Sequence, residues 1–128
     1  LEPLPPYPQE GHVFRASALS RDQKWLAGTI YSAAGRRIPG IAVYSFDDQQ
    51  YKVVTGFGSW PNWLSDSRRL VFSNENALYV ADRVTGETRK FASVNGEIPF
   101  GVSVSRDDRE IFFAQAAYES DIWLVTIE

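Results

Sequence analysis

The carboxylates of this sequence are the first residues to consider for chemistry, because some of them stand in adjacent pairs. Asp47 is followed by Asp48, and Asp107 by Asp108. Paired carboxylates can serve as general acid and base, and carboxylate clusters can bind calcium. However, adjacent residues of a strand point to opposite faces of the sheet, and neither pair has the Asp-x-Asp-x-Asp-Gly layout of a calcium loop. We therefore interpret both pairs as turn residues.

Other groups with catalytic potential form no recognisable constellation. His12 is the single histidine, and no Gly-x-Ser-x-Gly turn is present to hold a serine nucleophile near it. Residues 56–58 read Gly-Phe-Gly, which lacks the third glycine of a dinucleotide loop. The absence of cysteine excludes thiol catalysis, disulfides and zinc–thiolate sites. We predict no catalytic residue, no metal site and no cofactor, and we expect His12 to be exposed to solvent.

The composition is that of an ordinary globular protein and narrows the possible partners. Of the 128 residues, 44% are hydrophobic and 23% are charged, and the formal net charge is −3. A net negative charge argues against an extended surface that binds the phosphate groups of nucleic acid, so we expect no direct binding of nucleic acid. No apolar run approaches the roughly 18 residues that cross a bilayer, so we expect no membrane insertion. No signal-peptide pattern is visible, and the composition indicates no compartment.

Short segments rich in β-branched and aromatic residues, bounded by Gly, Pro, Asn and Asp, make up most of the chain. Such segments predict strands separated by tight turns. A helix is the alternative for residues 105–122, where Ser105 and Asp108 resemble a capping box and apolar residues follow at helical spacing. The alignment of residues 111–113 with residues 70–72, where no helical pattern exists, favours strands. The predicted strands are 14–19, 25–31, 41–46, 51–55, 62–64, 70–73, 77–81, 88–92, 102–104, 110–114 and 121–127.

A short turn recurs between the first two strands of consecutive units. Its central residues are Asp22, Asp66 and Asp107, at intervals of about 40–45 residues, the period of propeller blades. An aspartate in this position can accept backbone amides two residues on and close the hairpin. The residues that follow the second and third aspartates are Ser67 and Asp108 and not glycine, so they must keep a negative φ or adopt the left-handed conformation. We predict that the three aspartates are structural turn residues.

Residues 63–72, which read Trp-Leu-Ser-Asp-Ser-Arg-Arg-Leu-Val-Phe, resemble the WD-type repeats of TolB-like β-propellers. In that family a W-S-P-D-G-x-x-I/L turn joins the two inner strands of each blade. In the same family a D-I-W/Y-V run forms the third strand of the blade, and residues 121–125 are similar to it. The turn of this chain departs from the family pattern at Ser65, where the family has proline. The resemblance covers about residues 13–128. It implies an all-β fold of about three four-stranded antiparallel blades, the last without its outer strand, near residues 13–58, 59–97 and 98–128. The aromatic residues predicted to pack between the blades are Trp25, Trp63, Tyr79, Phe112 and Trp123.

The implied number of blades is smaller than in a closed propeller, which has roughly 4–8. We therefore interpret the sequence as the C-terminal part of a larger propeller protein, and we expect this fragment to self-associate through exposed blade edges. Residues 1–12 hold prolines at positions 3, 5, 6 and 8, which fix φ and remove amide donors. We interpret this Pro-rich lead-in as a linker, and the alternative is a strap along the outside of the fold.

The resemblance also indicates a candidate binding face. Residues 31–40 form an insertion between the second and third strands of the first unit. In TolB-like propellers this connection lies on the same face as the loops between blades, here 56–61 and 94–100. Arginine with exposed aromatic residues is typical of protein-binding hot spots, although we expect Trp60 itself to be packed. The predicted binding residues are Arg36, Arg37, Trp60, Asn62, Asn74, Glu75, Asn76, Phe100, Tyr118 and Glu119.

These observations favour recognition over catalysis. TolB-like propellers occur as Tol-system components, as peptidase domains and as sensor ends of bacterial kinases or regulators, and the resemblance favours a periplasmic location. We predict a non-catalytic propeller module that binds a protein or peptide partner. The alternatives are the ligand-sensing propeller end of a bacterial kinase or transcription regulator, and the propeller domain of a prolyl-oligopeptidase-like hydrolase.

Overall fold

Every regular element of the described chain is a strand. The structure, a computed structural model, describes residues 3–96, 102–115 and 121–127. Over those ranges it contains no helix with the length and apolar character needed to cross a membrane. The strands are β1 (His12–Leu19), β2 (Trp25–Ser32), β3 (Arg37–Ser45), β4 (Gln50–Thr55), β5 (Ser59–Trp63), β6 (Arg69–Asn74), β7 (Ala77–Asp82), β8 (Thr88–Ser93), β9 (Ser103–Val104), β10 (Glu110–Gln115) and β11 (Asp121–Thr126).

The strands form three antiparallel sheets that follow one another along the chain. Blade 1 contains β1 to β4 in sequence order, blade 2 contains β5 to β8 in sequence order, and blade 3 is ordered β11-β10-β9. The predicted fold class is confirmed, since the chain is all-β with two four-stranded sheets and a three-stranded third, as in partial propeller blades. The alternative helix predicted over residues 105–122 is not formed in its described part, because residues 110–115 pair with β9 and β11.

The connection between β2 and β3 is shorter than the predicted insertion of residues 31–40. β2 continues to Ser32 and β3 begins at Arg37, so only residues 33–36 form the turn. Gly35 supplies the positive φ, +81°, that this turn requires. The predicted insertion is therefore mainly an extension of the hairpin and not an irregular loop.

Apolar residues of blades 1 and 2 form a first core between the two sheets. Trp63 and Phe72 are its largest members, 2% and 0% exposed. The indole Nε1 of Trp63 donates to the carbonyl of Ala18 at 3.1 Å, which satisfies the polar end of the ring across the blade interface. Trp25 and Tyr79, also predicted to pack between blades, are half-buried against this core.

A second core lies between blades 2 and 3. Leu64 and Leu78 of blade 2 pack in it with Ile111 and Phe113 of blade 3. The prediction that Phe112 is a core residue is wrong, because its two neighbours on β10 point into this core and Phe112 points to the opposite side, 36% exposed. The side chain of Trp123 lies outside the described residues.

The Pro-rich lead-in lies against blade 1, in the position of the alternative prediction, a strap along the outside of the fold. The hydroxyl of Tyr51 donates to the carbonyl of Pro5 at 2.6 Å. The rings of Tyr7 and Tyr51 meet edge to face with centroids 5.1 Å apart. β1 begins at His12, which is half-buried and not exposed as expected, because the lead-in turns into the sheet there.

Candidate functional site

The aspartate turns lie at one end of the blades, where β1 meets β2, β5 meets β6 and β9 meets β10. In each turn the aspartate carboxylate accepts the backbone amide two residues on, which closes the hairpin. Lys24 donates to Asp22 at 2.9 Å, Arg68 to Asp66 at 3.0 Å, and Arg109 to Asp107 at 3.1 Å.

These hydrogen bonds lower the pKa of the turn carboxylates. For Asp107, the hydroxyl of Ser105 and the amide of Arg109 lower the pKa. For Asp22 and Asp66, desolvation is the largest single influence and raises the pKa, but the hydrogen bonds, together with the attraction of Lys24 or Arg69, lower it further than desolvation raises it. A carboxylate with a lowered pKa is a poor proton donor at neutral pH, so the turns have the properties of structural elements.

The residue after each turn aspartate has a left-handed backbone, and in the second and third turns it also joins neighbouring blades. Gln23, Ser67 and Asp108 have φ values of 63°, 55° and 61°. The amide of Asp22 in blade 1 donates to the hydroxyl of Ser67 in blade 2 at 3.0 Å. The amide of Ser65 in blade 2 donates to the carboxylate of Asp108 in blade 3 at 3.0 Å. We call these two contacts the turn seam, since each fastens a turn to the next blade.

A wide cleft of about 630 Å³ lies beside the outer strands of blade 2. Two of the charged residues that line it are engaged by ion pairs. The Nε of Arg68 lies 2.9 Å from the carboxylate of Asp82, and the Nε of Arg69 lies 2.7 Å from that of Asp66. The hydrogen bond from Arg68 lowers the pKa of Asp82 to about 2. These pairs engage Arg69 and Asp82, two of the four charged residues that line the cleft, and the remaining two are Glu87 and Arg89.

The predicted binding residues on the hairpin turns lie in two different blades. Arg36 and Arg37 are exposed at the turn between β2 and β3 of blade 1. Asn74 ends β6, and Glu75 and Asn76 form the two-residue turn that leads into β7 of blade 2. Glu75 has a φ of +55° in this turn, which is a local requirement of the hairpin and not a sign of a ligand.

Of the other predicted binding residues, only two lie in the described part of the chain. Trp60 and Asn62 are on β5 and border one groove. Phe100, Tyr118 and Glu119 lie outside the described residues.

The groove beside Trp60 has a volume of about 250 Å³ and lies between β1 and β5, the first strands of blades 1 and 2. Bulges interrupt both strands, between Ala16 and Ala18 and between Ser59 and Asn62. A bulge bends its strand and redirects side chains, and here it leaves room between the strands. We call this the inner-strand groove, and its lining is Ser17, Ala18, Leu19, Trp60, Pro61, Asn62 and Val102.

Trp60 is the most unusual residue of the groove. We expected it to be packed, and this is wrong, because the bulge in β5 turns its side chain outward, 41% exposed. Its φ is +56°, a region that bulky residues rarely adopt. The following residue, Pro61, is buried and restricts the backbone before it further.

Asn62 has a structural role in the same groove. Its Nδ2 donates to the carbonyl of Val102 at 3.0 Å, and its Oδ1 accepts the amide of Trp63 at 2.9 Å. It therefore links blade 2 to the start of blade 3. Sequence reasoning missed Ser17 and Leu19 as groove residues, and the bulge at Ser17 in β1 has no local sequence signal.

Comparisons by sequence give no relatives. No family model matches the chain. No curated protein matches it either.

Comparisons by structure do give matches. TolB from Acinetobacter baumannii aligns with a TM-score of 0.71 at 16% identity, over 88% of this chain and 29% of that chain. Oligogalacturonate lyase in complex with manganese aligns with a TM-score of 0.68 at 16% identity, over 94% of this chain and 36% of that chain. A chain of a nidogen/laminin complex aligns with a TM-score of 0.70 at 13% identity, over 91% of this chain and 45% of that chain.

Each of these solved chains is more than twice as long as the stretch that this chain matches. Identities this low show a shared fold and nothing about activity. The chain therefore has a propeller-like fold, similar in structure to part of TolB.

Proposed function

We propose that this chain is part of a β-propeller module that recognises a protein or a peptide through the inner-strand groove. The observation that carries the proposal is Trp60, 41% exposed at a φ of +56°. Tryptophan is among the residues most enriched in binding hot spots. Backbone strain of this kind persists only where the surroundings hold it, and such positions cluster at ligand-binding and active sites. Strain at an exposed tryptophan is therefore better explained by recognition than by packing.

The size of the groove supports an anchoring side chain of a partner rather than a free small molecule. Its volume of about 250 Å³ lies below the roughly 300–1,000 Å³ that is usual for small-molecule sites. Leu19, 51% exposed, adds apolar surface beside Trp60. A partner residue inserted there would cover both side chains, and removal of apolar surface from water is the main favourable contribution to most protein association.

An enzymatic role is the principal alternative, since one solved structure with a similar fold is an oligogalacturonate lyase. In that case the groove would hold part of a substrate. The acidic or histidine side chains needed for catalysis would have to come from residues outside the groove lining. Over the described ranges, no three His, Asp or Glu side chains gather as a metal-binding group. The sensing role for a kinase or regulator would use the same groove with a different ligand.

The test is a peptide selection by phage display against the immobilised chain, followed by affinity measurement with purified variants. Trp60→Gly removes the ring and supplies a residue that accepts the positive φ, so the fold is retained. We expect the dissociation constant of the selected peptides to rise at least about 30-fold, as for a hot-spot loss of about 2 kcal/mol.

Val84→Ala is the matched control for that experiment. Val84 is 54% exposed in the turn between β7 and β8, away from the groove lining. Its substitution is expected to leave peptide affinity unchanged. Peptides that bind the wild-type chain and Trp60→Gly equally well would contradict recognition through the groove.

A further inference from the structure

The part of the lead-in at residues 3–8 has the composition of a polyproline II segment. Proline locks φ near −65°, and a residue that precedes proline is driven to an extended backbone. Leu4, Pro5 and Tyr7 all precede prolines. A polyproline II segment makes no internal hydrogen bonds, so its carbonyls can accept bonds from a partner, whereas the carbonyls of Gln9 and Gly11 after it accept the amides of His12 and Ala33.

The lead-in lies on the face of blade 1 that is turned away from blade 2. Val43 on β3 belongs to the core shared with blade 2, so its neighbour Tyr44 points to the opposite side. Tyr44 is nevertheless only 2% exposed. Ile30, at 6%, lines a small cavity of about 100 Å³ together with Tyr7. The far face of blade 1 is therefore covered, and the lead-in supplies part of that cover.

Aromatic rings dominate this covered face. The ring of Tyr51 lies 5.1 Å from that of Phe14 and 4.8 Å from that of Tyr44, measured between centroids. The ring of Tyr7, from the lead-in, joins the same cluster at 5.1 Å from Tyr51. We call Phe14, Tyr44 and Tyr51 the aromatic face.

A hydrogen bond holds the lead-in to the aromatic face. The phenolic hydroxyl of Tyr51 donates to the carbonyl of Pro5 at 2.6 Å. A cleft of about 320 Å³ remains between the prolines and the start of β4, lined by Pro5, Pro6, Pro8, Gln49, Gln50 and Tyr51. An aromatic surface with a hydroxyl donor, facing a stiff segment with free carbonyls, is the general chemistry by which proteins recognise proline-rich peptides.

We propose that the aromatic face of blade 1 is a docking site for a proline-rich segment, occupied in this chain by its own residues 3–9. A separate peptide of the same chemistry, prolines around a tyrosine, competes for the site in trans. This proposal concerns a different surface from the inner-strand groove and stands independently of the proposed function.

Effective concentration sets the expected strength of that competition. A segment attached by a short linker competes at an effective concentration in the millimolar range. The attached lead-in therefore weakens the apparent affinity for a free peptide. A change that weakens the contact of the lead-in with the aromatic face restores the affinity for a free peptide, as long as the aromatic face itself is unchanged.

The first experiment measures the binding of a fluorescein-labelled peptide, with the sequence of residues 1–11, to the full chain by fluorescence anisotropy. The variant Pro5→Gly, Pro6→Gly, Tyr7→Ala loosens the attached lead-in and leaves the aromatic face intact. We expect it to bind the peptide at least about 10-fold more tightly than the wild-type chain does. Equal affinities for the two chains would overturn the proposal.

Matched controls examine the chemistry of that binding. In the loosened variant, Tyr51→Phe removes only the hydroxyl and should weaken binding by about 2- to 10-fold, the range for one neutral hydrogen bond. Tyr31→Phe removes a hydroxyl from a residue that stacks under Arg15 and lies outside the aromatic face, and should have no effect. A peptide with all its prolines replaced by glycine should bind at least about 10-fold more weakly, and equal binding of the two peptides would overturn the role of proline.

A second measurement uses the full chain with a fluorine label on Tyr7 as its one change, so it does not depend on the folding of the loosened variant. With 3-fluorotyrosine at position 7, the ¹⁹F resonance reports the contact of that ring with Tyr51. Adding the unlabelled peptide of residues 1–11 at millimolar concentration is expected to shift the resonance toward its value in the free peptide. A resonance that does not move at the solubility limit of the peptide would show that the lead-in is a fixed part of the fold, and the proposal would then be wrong.

Discussion

Asp82, at the end of β7, is held by several polar contacts. Its carboxylate accepts hydrogen bonds from the Nε of Arg68 at 2.9 Å and from the amide of Val84 at 2.8 Å. The contact from Arg68 is the main reason why the pKa of Asp82 falls to about 2. A carboxylate whose pKa is lower in the folded state than in the unfolded state stabilises the fold through its charged form. The free energy of unfolding therefore depends on pH through the single residue Asp82.

We predict that Asp82→Asn lowers the free energy of unfolding at pH 7 by up to about 1 kcal/mol, a modest effect because the Arg68 side chain is 45% exposed. The contribution is fully present above the unfolded pKa of about 3.9. It is lost as the pH falls from there toward about 2, the folded pKa. Urea denaturation at several pH values therefore should show the difference between wild type and variant shrinking on acidification.

Asp48→Asn provides the control for that series. Asp48 is exposed in the turn between β3 and β4, so the same loss of charge occurs there without the Arg68 contact. We expect its stability to track that of the wild type from pH 7 to pH 3. A difference between wild type and Asp82→Asn that stayed constant across this range would rule out a titrating contribution from Asp82.

At the scale of the elements, the turn seam couples neighbouring blades through left-handed residues. Ser67 has a φ of +55°, is 4% exposed, and accepts the amide of Asp22 from blade 1 at 3.0 Å. Two properties of this residue are separable by mutation. One is the tolerance of the backbone conformation, and the other is the acceptor that the amide needs.

We predict the stability order asparagine, then glycine, then alanine at position 67. Asparagine tolerates the left-handed region and offers an acceptor, glycine tolerates the conformation only, and alanine provides neither. Ser67→Ala is expected to lose about 1–3 kcal/mol from the unpaired amide of Asp22, because serine and alanine carry the same left-handed backbone strain. Chemical denaturation measures the order, and an alanine variant as stable as the glycine variant would show that backbone strain is negligible there.

Strand positions were largely predictable from the sequence, whereas the contacts between elements were not. Alternating apolar residues and turn-forming Asp, Asn and Gly are local signals, so β6 and β7 fall within one residue of their predicted bounds. The exposure of Trp60 depends on a bulge that shifts the register of β5 against β6, which has no local signature. The docking of Pro5 on Tyr51 joins residues 46 apart in the chain, and composition alone suggested a linker.

At the scale of the whole molecule, the three blades are not equally covered. Blade 2 packs against a neighbour on both sides, and the lead-in covers part of the free face of blade 1. On blade 3, Phe112 and Leu124 are paired across β10 and β11 and point away from blade 2, 36% and 52% exposed. β11 is also the edge of its sheet among the described strands, where the corresponding strands of blades 1 and 2 have an outer partner.

An uncovered apolar face beside an open strand edge favours association with another chain. We therefore predict that the 128-residue chain in isolation has a mass above its monomer mass of 14.4 kDa and that this mass rises with concentration. Size-exclusion chromatography with multi-angle light scattering measures this mass directly.

Leu124→Lys places a charge on the exposed face and should shift the mass toward the monomer. Val84→Lys, on an exposed turn of blade 2, should not. A concentration-independent monomer for the wild-type chain would show that blade 3 is sufficiently covered by its own residues, and would contradict this prediction.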